Sequence, residues 1–131
     1  MAVPKKDEDE VRVLFVEDDP AVAQMYRLKL ELDGYAVEVA IDGLQAVQMA
    51  TGNPPDIIFL DIRLPRLDGL SVLEELRCDD RTRAVPVVIL SNYSQQELVE
   101  HGLRLGAQDY LIKSQTTPSR VASGVNAWLR N

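Results

Sequence analysis

Five short apolar runs punctuate the chain: Val11–Val16, Ala36–Val39, Ile57–Leu60, Val87–Leu90 and Tyr110–Ile112. They are rich in β-branched residues and nearly free of the alternation that a half-wet strand shows. They therefore read as strands covered on both faces, as in a parallel sheet. The second is the weakest, because Glu38 interrupts it. Helical spacing fills the intervals. Within Pro20–Asp33, Val22, Met25, Tyr26, Leu28 and Leu32 recur at that spacing, with Asp19 as cap, Pro20 at the first position and Gly34 past the end. Gly43–Thr51, Leu70–Arg77 and Gln95–Leu105 predict further helices, and Pro118–Arg130 predicts one that follows Thr117 and buries Val121, Val125, Trp128 and Leu129. Strand and helix thus alternate along the whole chain. Right-handed crossovers then divide the helices between the two faces of a doubly wound α/β sheet, whose ligands gather beyond the carboxyl ends of the strands.

Those ends carry the candidate chemistry. The first strand runs into Glu17, Asp18 and Asp19, the third into Asp61, the fourth into Ser91 and the fifth into Lys113. Each residue also has an ordinary structural explanation: Asp19 caps a helix, Ser91 turns the chain, Lys113 is a surface lysine, and the acidic triplet is solvated loop. Their joint position is harder to explain that way, since acids, a hydroxyl and an amine all fall at one edge of the same sheet. Carboxylates from neighbouring strand ends raise each other's proton affinity, so crowding them makes sense where a cation is usually present. Magnesium, which prefers oxygen ligands and often bridges carboxylates to a phosphoryl group, suits such a site, with manganese as a substitute.

Composition narrows the picture further. A chain of 131 residues that is 46% apolar can bury one domain's core, and with aromatics at 5% that core is mainly aliphatic. The 21 acidic against 14 basic side chains leave a net charge of −7, which opposes direct binding to nucleic acid. Cys78 has no second cysteine for a disulfide, and no secretory leader or long apolar run is evident, so the reading is cytoplasmic with no membrane contact. Residues 1–10, with Lys5 and Lys6 before Asp7–Glu10, read as a disordered acidic leader, and residues 11–131 as the folded domain. Trp128 and the methionines read as core packing, and His101 as a surface histidine.

At these residues the sequence resembles the response regulator receiver domain of bacterial two-component systems (CheY-like), from Val11 to about Arg130. The matching motifs are the Glu17-Asp18 pair within residues 13–20, Asp61-Ile-Arg-Leu-Pro65 with Asp68-Gly69, Ser91, and Gly106-Ala-Gln-Asp-Tyr-Leu-Ile-Lys113. The resemblance implies a flavodoxin-like (βα)5 sandwich with strand order 2-1-3-4-5. It also implies that Asp61 accepts the phosphoryl group, while Asp18, Glu17 through water, Asp61 and the backbone carbonyl of Arg63 hold the metal. Ser91 and Lys113 would contact the phosphoryl group, and Tyr110 would enter the space that Ser91 vacates, changing the surface of Gln95–Leu105 and Tyr110–Arg130. Two departures stand out. Ser114 follows Lys113 where the family commonly has proline, which puts a cis peptide there in doubt, and Asn92 and Tyr93 place bulk at the lip of the site, where with Arg63 they limit access.

The expected function is a phosphorylatable receiver rather than a turnover enzyme. Its phosphoryl group would come from a histidine kinase or a histidine phosphotransfer protein, and it would act as a monomer or a phosphorylation-dependent homodimer on a downstream target. Ending soon after the fifth helix, the chain is expected to be either a stand-alone shuttle or an excerpt of a longer regulator. The rivals are a receiver-like interaction module that is never phosphorylated, a magnesium-dependent phosphatase, and a flavin-binding flavodoxin relative. The last needs a glycine- or hydroxyl-rich phosphate loop that is missing after the first strand.

Overall fold

The computed structural model describes residues 10–130, so all but Glu10 of the expected leader lies outside the described residues. Strands β1 (Arg12–Val16), β2 (Ala36–Ala40), β3 (Ile57–Leu60), β4 (Val87–Ser91) and β5 (Asp109–Ile112) form one parallel sheet in the order β2-β1-β3-β4-β5. Between and after them run α1 (Pro20–Leu32), α2 (Gly43–Gly52), α3 (Gly69–Cys78), α4 (Gln96–Arg104) and α5 (Pro118–Arg130). The expected elements are all present, with ends differing by a residue or two.

Period-two alternation builds two cores from the same strands. Val13, Phe15, Ile57, Phe59, Val88 and Leu90 point to one face, where Tyr26 and Leu30 of α1 and Val121, Ala122 and Val125 of α5 cover them. Leu14, Val16, Ile58, Leu60, Val87 and Ile89 point to the other, beneath Ala46 and Ala50 of α2 and Val72, Leu73 and Leu76 of α3. Few aromatics are needed, but they cluster: Phe15 stacks on Tyr26 at 5.0 Å between centroids, and Phe59 meets Trp128 edge-on at 5.7 Å. The Trp128 indole N–H donates to Asp109 at 3.0 Å, which satisfies its polar edge.

One helix buries a different face from the one its apolar spacing suggests. In α1 the buried residues are Ala23, Tyr26 and Leu30, whereas Met25, Leu28 and Leu32 are 49%, 52% and 80% exposed. The stacking of Tyr26 on Phe15 fixes the helix's rotation and turns those three side chains outward. Met25 is thus not a core methionine, although Met49 does pack against the core. His101 is exposed, as expected.

Two contacts that no strand or helix pattern reveals fasten the end of α3 to the loops beside it. The buried Thr82 hydroxyl donates to the Leu76 carbonyl at 2.7 Å, closing the end of α3, and Arg77 donates to the carbonyls of Gly106 and Thr82. Burial pushes the Arg77 guanidinium down from its ordinary value. At the start of α3, a Cβ on Gly69 would lie 2.0 Å from the Asp61 carbonyl oxygen. That close approach lets the Gly69 amide donate to Ile62 at 2.7 Å and draws the loop after β3 against the helix. Gly69→Ala is therefore expected to cost about 2–3 kcal/mol of stability through forced backbone displacement, read as a lowered urea midpoint at unchanged slope. A midpoint equal to that of the parent would show that the loop relaxes freely.

Candidate functional site

The acids, the amine and the hydroxyl converge because the ladder continues past the strand ends. The Glu17 amide donates to the Ala40 carbonyl at 2.9 Å and the Asp61 amide to the Val16 carbonyl at 3.2 Å, so both side chains leave from ordered backbone. Asp19 caps α1 by accepting from the amides of Ala21 and Val22, which leaves Asp18 exposed at the bend. Oxygens of Glu17, Asp18 and Asp61 all lie within 4.8 Å of one another.

The Lys113 ammonium sits among these carboxylates, 2.5 Å from Glu17 Oε1 and 2.8 Å from Asp61 Oδ2. The other Asp61 oxygen accepts from the Ile62 amide at 2.7 Å, and Glu17 Oε2 accepts from the Asp19 amide at 3.2 Å. Glu17 is only 3% exposed, and burial holds its carboxyl above the usual range despite the bond from Lys113. Burial works against the charge on Lys113 as well, but its hydrogen bonds to Asp61 and Glu17 outweigh that, and its pKa is raised. One ammonium thus faces three clustered acids.

A divalent ion fits this donor set. Three carboxylates with oxygens within 4.8 Å of one another could be drawn onto one hard divalent ion by small side-chain shifts, and carboxylate oxygens are the ligands that such an ion prefers.

The site opens into a cleft of about 700 Å³, lined on one side by Asn92, Tyr93 and Arg63 and on the other by Val22, Met25 and Tyr26, with Thr116, Thr117 and Pro118 beyond Lys113. Strand-end reasoning missed this second wall, because those residues lie on α1 and around the start of α5. Their signal was the helix cap at Asp19, which requires the first turn of α1 to stand beside the acids.

Ser91 is fully buried, and its hydroxyl accepts from the Tyr93 amide at 3.0 Å. The Tyr110 hydroxyl donates to the Tyr93 carbonyl at 2.6 Å, so Ser91 and Tyr110 meet through one residue. Arg63 lines the same cleft. It forms no ion pair among the described residues and instead places its guanidinium over the Tyr93 ring, 5.1 Å from the centroid, since a half-buried aromatic face offers a contact that leaves the cation hydrated on its other side. The peptide after Lys113 is trans, and Lys113–Gln115 form a single 3₁₀ turn.

Comparison with known proteins agrees with this geometry. Residues 13–123 match the family described as response regulator receiver domain. The chain is 44% identical over 119 residues to the transcriptional regulatory protein PrrA of Mycobacterium tuberculosis, covering 91% of this chain and 50% of that protein. It is 40% identical over 102 residues to the DNA-binding dual master transcriptional regulator RpaA of Synechocystis, covering 78% of this chain and 42% of that protein. The chain spans about half the length of these relatives. Among solved structures it resembles the receiver domain of the Francisella response regulator 1452, with TM-score 0.85, 34% identity and coverage of 92% and 98% of the two chains. It also resembles the receiver domain of the sensor histidine kinase PA1611 of Pseudomonas aeruginosa, a structure with magnesium in the active-site cleft, with TM-score 0.84, 33% identity and coverage of 93% and 99%.

Proposed function

Because the chain belongs to the response regulator receiver domain family, we propose that it accepts a phosphoryl group on Asp61 from a phosphohistidine of a histidine kinase or histidine phosphotransfer protein. The observation that carries this reading is the convergence of three carboxylates on one small space, with a half-buried lysine bound to two of them. In the transfer an Asp61 carboxylate oxygen bonds to phosphorus in line with the departing imidazole. The P–N bond breaks, and its electron pair returns to the histidine ring.

Asp18, Asp61, Glu17 through a water and the Arg63 carbonyl would hold magnesium, or manganese in its place. When bound, the ion supplies charge neutralisation on the transferred oxygens. Lys113 supplies a mobile positive charge for another phosphoryl oxygen, and the Ser91 hydroxyl a hydrogen-bond donor. Membership of the receiver family, with the nearly buried Asp61 held by Lys113, favours a phosphoacceptor over a turnover enzyme. The apolar wall of Val22 and Met25 at the cleft mouth suits a protein donor. Intact mass after incubation with acetyl phosphate and magnesium tests the reading: a gain of one phosphoryl group supports it, and a protein that never gains mass under conditions that load other receivers refutes it.

No helix among the described residues is long and apolar enough to cross a membrane. The net charge of −7 opposes direct binding of this domain to nucleic acid, and the reading taken from the family is of a cytoplasmic protein that works as a monomer or a phosphorylation-dependent homodimer.

The surface of α4, β5 and α5 is the expected output face, since Ser91 and Tyr110 connect it to the site. Beryllofluoride with magnesium, mimicking the phosphoryl group, is expected to change amide exchange across residues 95–105 and 110–130 more than across residues 36–51. Equal changes in both regions would count against this coupling.

A further inference from the structure

We propose that the Tyr26 hydroxyl is a positioning group for Lys113: it accepts an N–H of the ammonium when Lys113 gives up Asp61 during phosphoryl transfer, and so aims the amine at the transferred oxygens. This rests on the reading of Asp61 as phosphoacceptor.

The helix delivers this side chain to the site from below. Asp19 caps α1 beside the acids, and Tyr26 stands about 9 Å further along the axis at 1.5 Å per residue. Side chains on a helix lean toward its N-terminus, so a long one at this position reaches back toward the strand ends. The ring is held there by stacking on Phe15 of β1, at 5.0 Å between centroids and 23° between planes. Tyr26 is only 3% exposed, yet it lines the phosphoacceptor cleft together with Glu17, Asp61 and Lys113. Its hydroxyl makes no hydrogen bond among the described residues, and no fully buried side-chain nitrogen or oxygen there lacks a partner, so the phenol oxygen opens on the cleft itself. Burial holds the phenol's pKa above its ordinary 10.0, while Lys113 lowers it and Glu17 raises it through space. The amine and the acid thus both lie near the ring, and the hydroxyl keeps its proton at neutral pH.

Lys113 needs such an acceptor. An ammonium has three N–H donors, and two are accounted for, on Glu17 Oε1 and Asp61 Oδ2. In transfer from acetyl phosphate an Asp61 oxygen bonds to phosphorus, the bond from phosphorus to the acetyl oxygen breaks, and its electron pair leaves with acetate. Asp61 then spends its charge on phosphorus, and Glu17 is drawn toward the metal through a water. Both resting partners of Lys113 weaken at the moment when the amine must hold a phosphoryl oxygen. Tyr26 is claimed by neither phosphorus nor metal, and its rigid ring lets it take up an N–H without ordering a mobile side chain. It touches no reacting atom in this scheme and acts only through Lys113.

Tyr26→Phe isolates the hydroxyl, since the phenyl ring keeps its stack on Phe15 and no hydrogen bond among the described residues is lost. Gain of phosphoryl mass from acetyl phosphate and magnesium is expected to be about three- to tenfold slower in Tyr26→Phe than in the parent. In a Lys113→Met background the same substitution should change nothing, because the hydroxyl then has no ammonium to hold. Tyr35→Phe, which removes a hydroxyl beyond the far end of α1, should load at the parent rate. Parent-rate loading of Tyr26→Phe, or effects that multiply in the double variant, overturn the proposal. A second measurement needs no phosphoryl transfer. With magnesium alone, the Lys113 ε-methylene resonances are expected to move as the ion draws on Glu17 and Asp61, and to end at a different shift in Tyr26→Phe. Equal end points overturn the contact whatever Asp61 does. Distinct end points in a protein that never gains phosphoryl mass uphold the contact and overturn the reading of Asp61 instead.

Discussion

Asp61→Asn is expected to abolish acyl phosphate formation while leaving the domain folded. The carboxamide is close in shape to the carboxylate, so its oxygen can still accept from the Ile62 amide, which donates to Asp61 at 2.7 Å. What it lacks is the anionic oxygen that attacks phosphorus and the charge that Lys113 pairs with at 2.8 Å. Among the described residues no other carboxylate is placed to take over, since Glu17 is buried behind Lys113 and Asp18 is the exposed member that a metal ion would claim. Intact mass after acetyl phosphate and magnesium should show no gain, alongside a circular dichroism melt close to that of the parent. A variant that still acquires one phosphoryl group at the parent's rate would assign the nucleophile elsewhere.

Lys113→Met is expected to slow phosphoryl transfer by about a hundredfold, roughly 2.7 kcal/mol of barrier, because one donor aimed at the transferred oxygens is gone. It should also change how stability depends on pH when magnesium is chelated. The Lys113 pKa is raised in the folded state, so its contribution is whole below its ordinary value of 10.5 and is lost only as pH rises through the higher folded value. The Glu17 pKa is raised as well, but for a carboxyl the sign is opposite. Its buried charge becomes a penalty as pH rises past the ordinary 4.5 and is complete above the folded value. Without Lys113 that penalty grows. The variant should lose on the order of 3 kcal/mol near neutral pH and much less at about pH 4, where Glu17 is protonated. Urea unfolding at the two pH values in the presence of chelator measures this, and an equal loss at both would place the effect in packing rather than charge.

The two expectations draw on different sources. Asp61 is recognisable as a residue that follows a buried apolar run, but its pairing with a lysine 52 positions away is a fact of strand order. The same holds for Tyr110, whose hydroxyl meets the carbonyl of a residue 17 positions earlier. Arg63 shows the cost of reasoning from charge alone. Acids line the same cleft, yet an aromatic face from the adjacent loop takes the guanidinium.

Alternation, helical period, caps and turn residues act over a few neighbouring positions, so the order of strands and helices, their approximate ends and the polar residues at strand ends were all open to direct reading from residues 11–130. The Asp19 cap and the opposite-facing sets Val13, Phe15 and Leu14, Val16 are of this local kind. Which face of α1 turns inward, the closeness of Gly69 to the Asp61 carbonyl, the second cleft wall and the partner of Arg63 depend instead on how separate elements pack. Helix rotation is set by the shapes of side chains on other elements, here Phe15 under Tyr26, and differences of a few ångströms between loops decide which polar groups meet. Such choices turn on small energy differences summed over many contacts at once, and no local stretch of residues carries that sum.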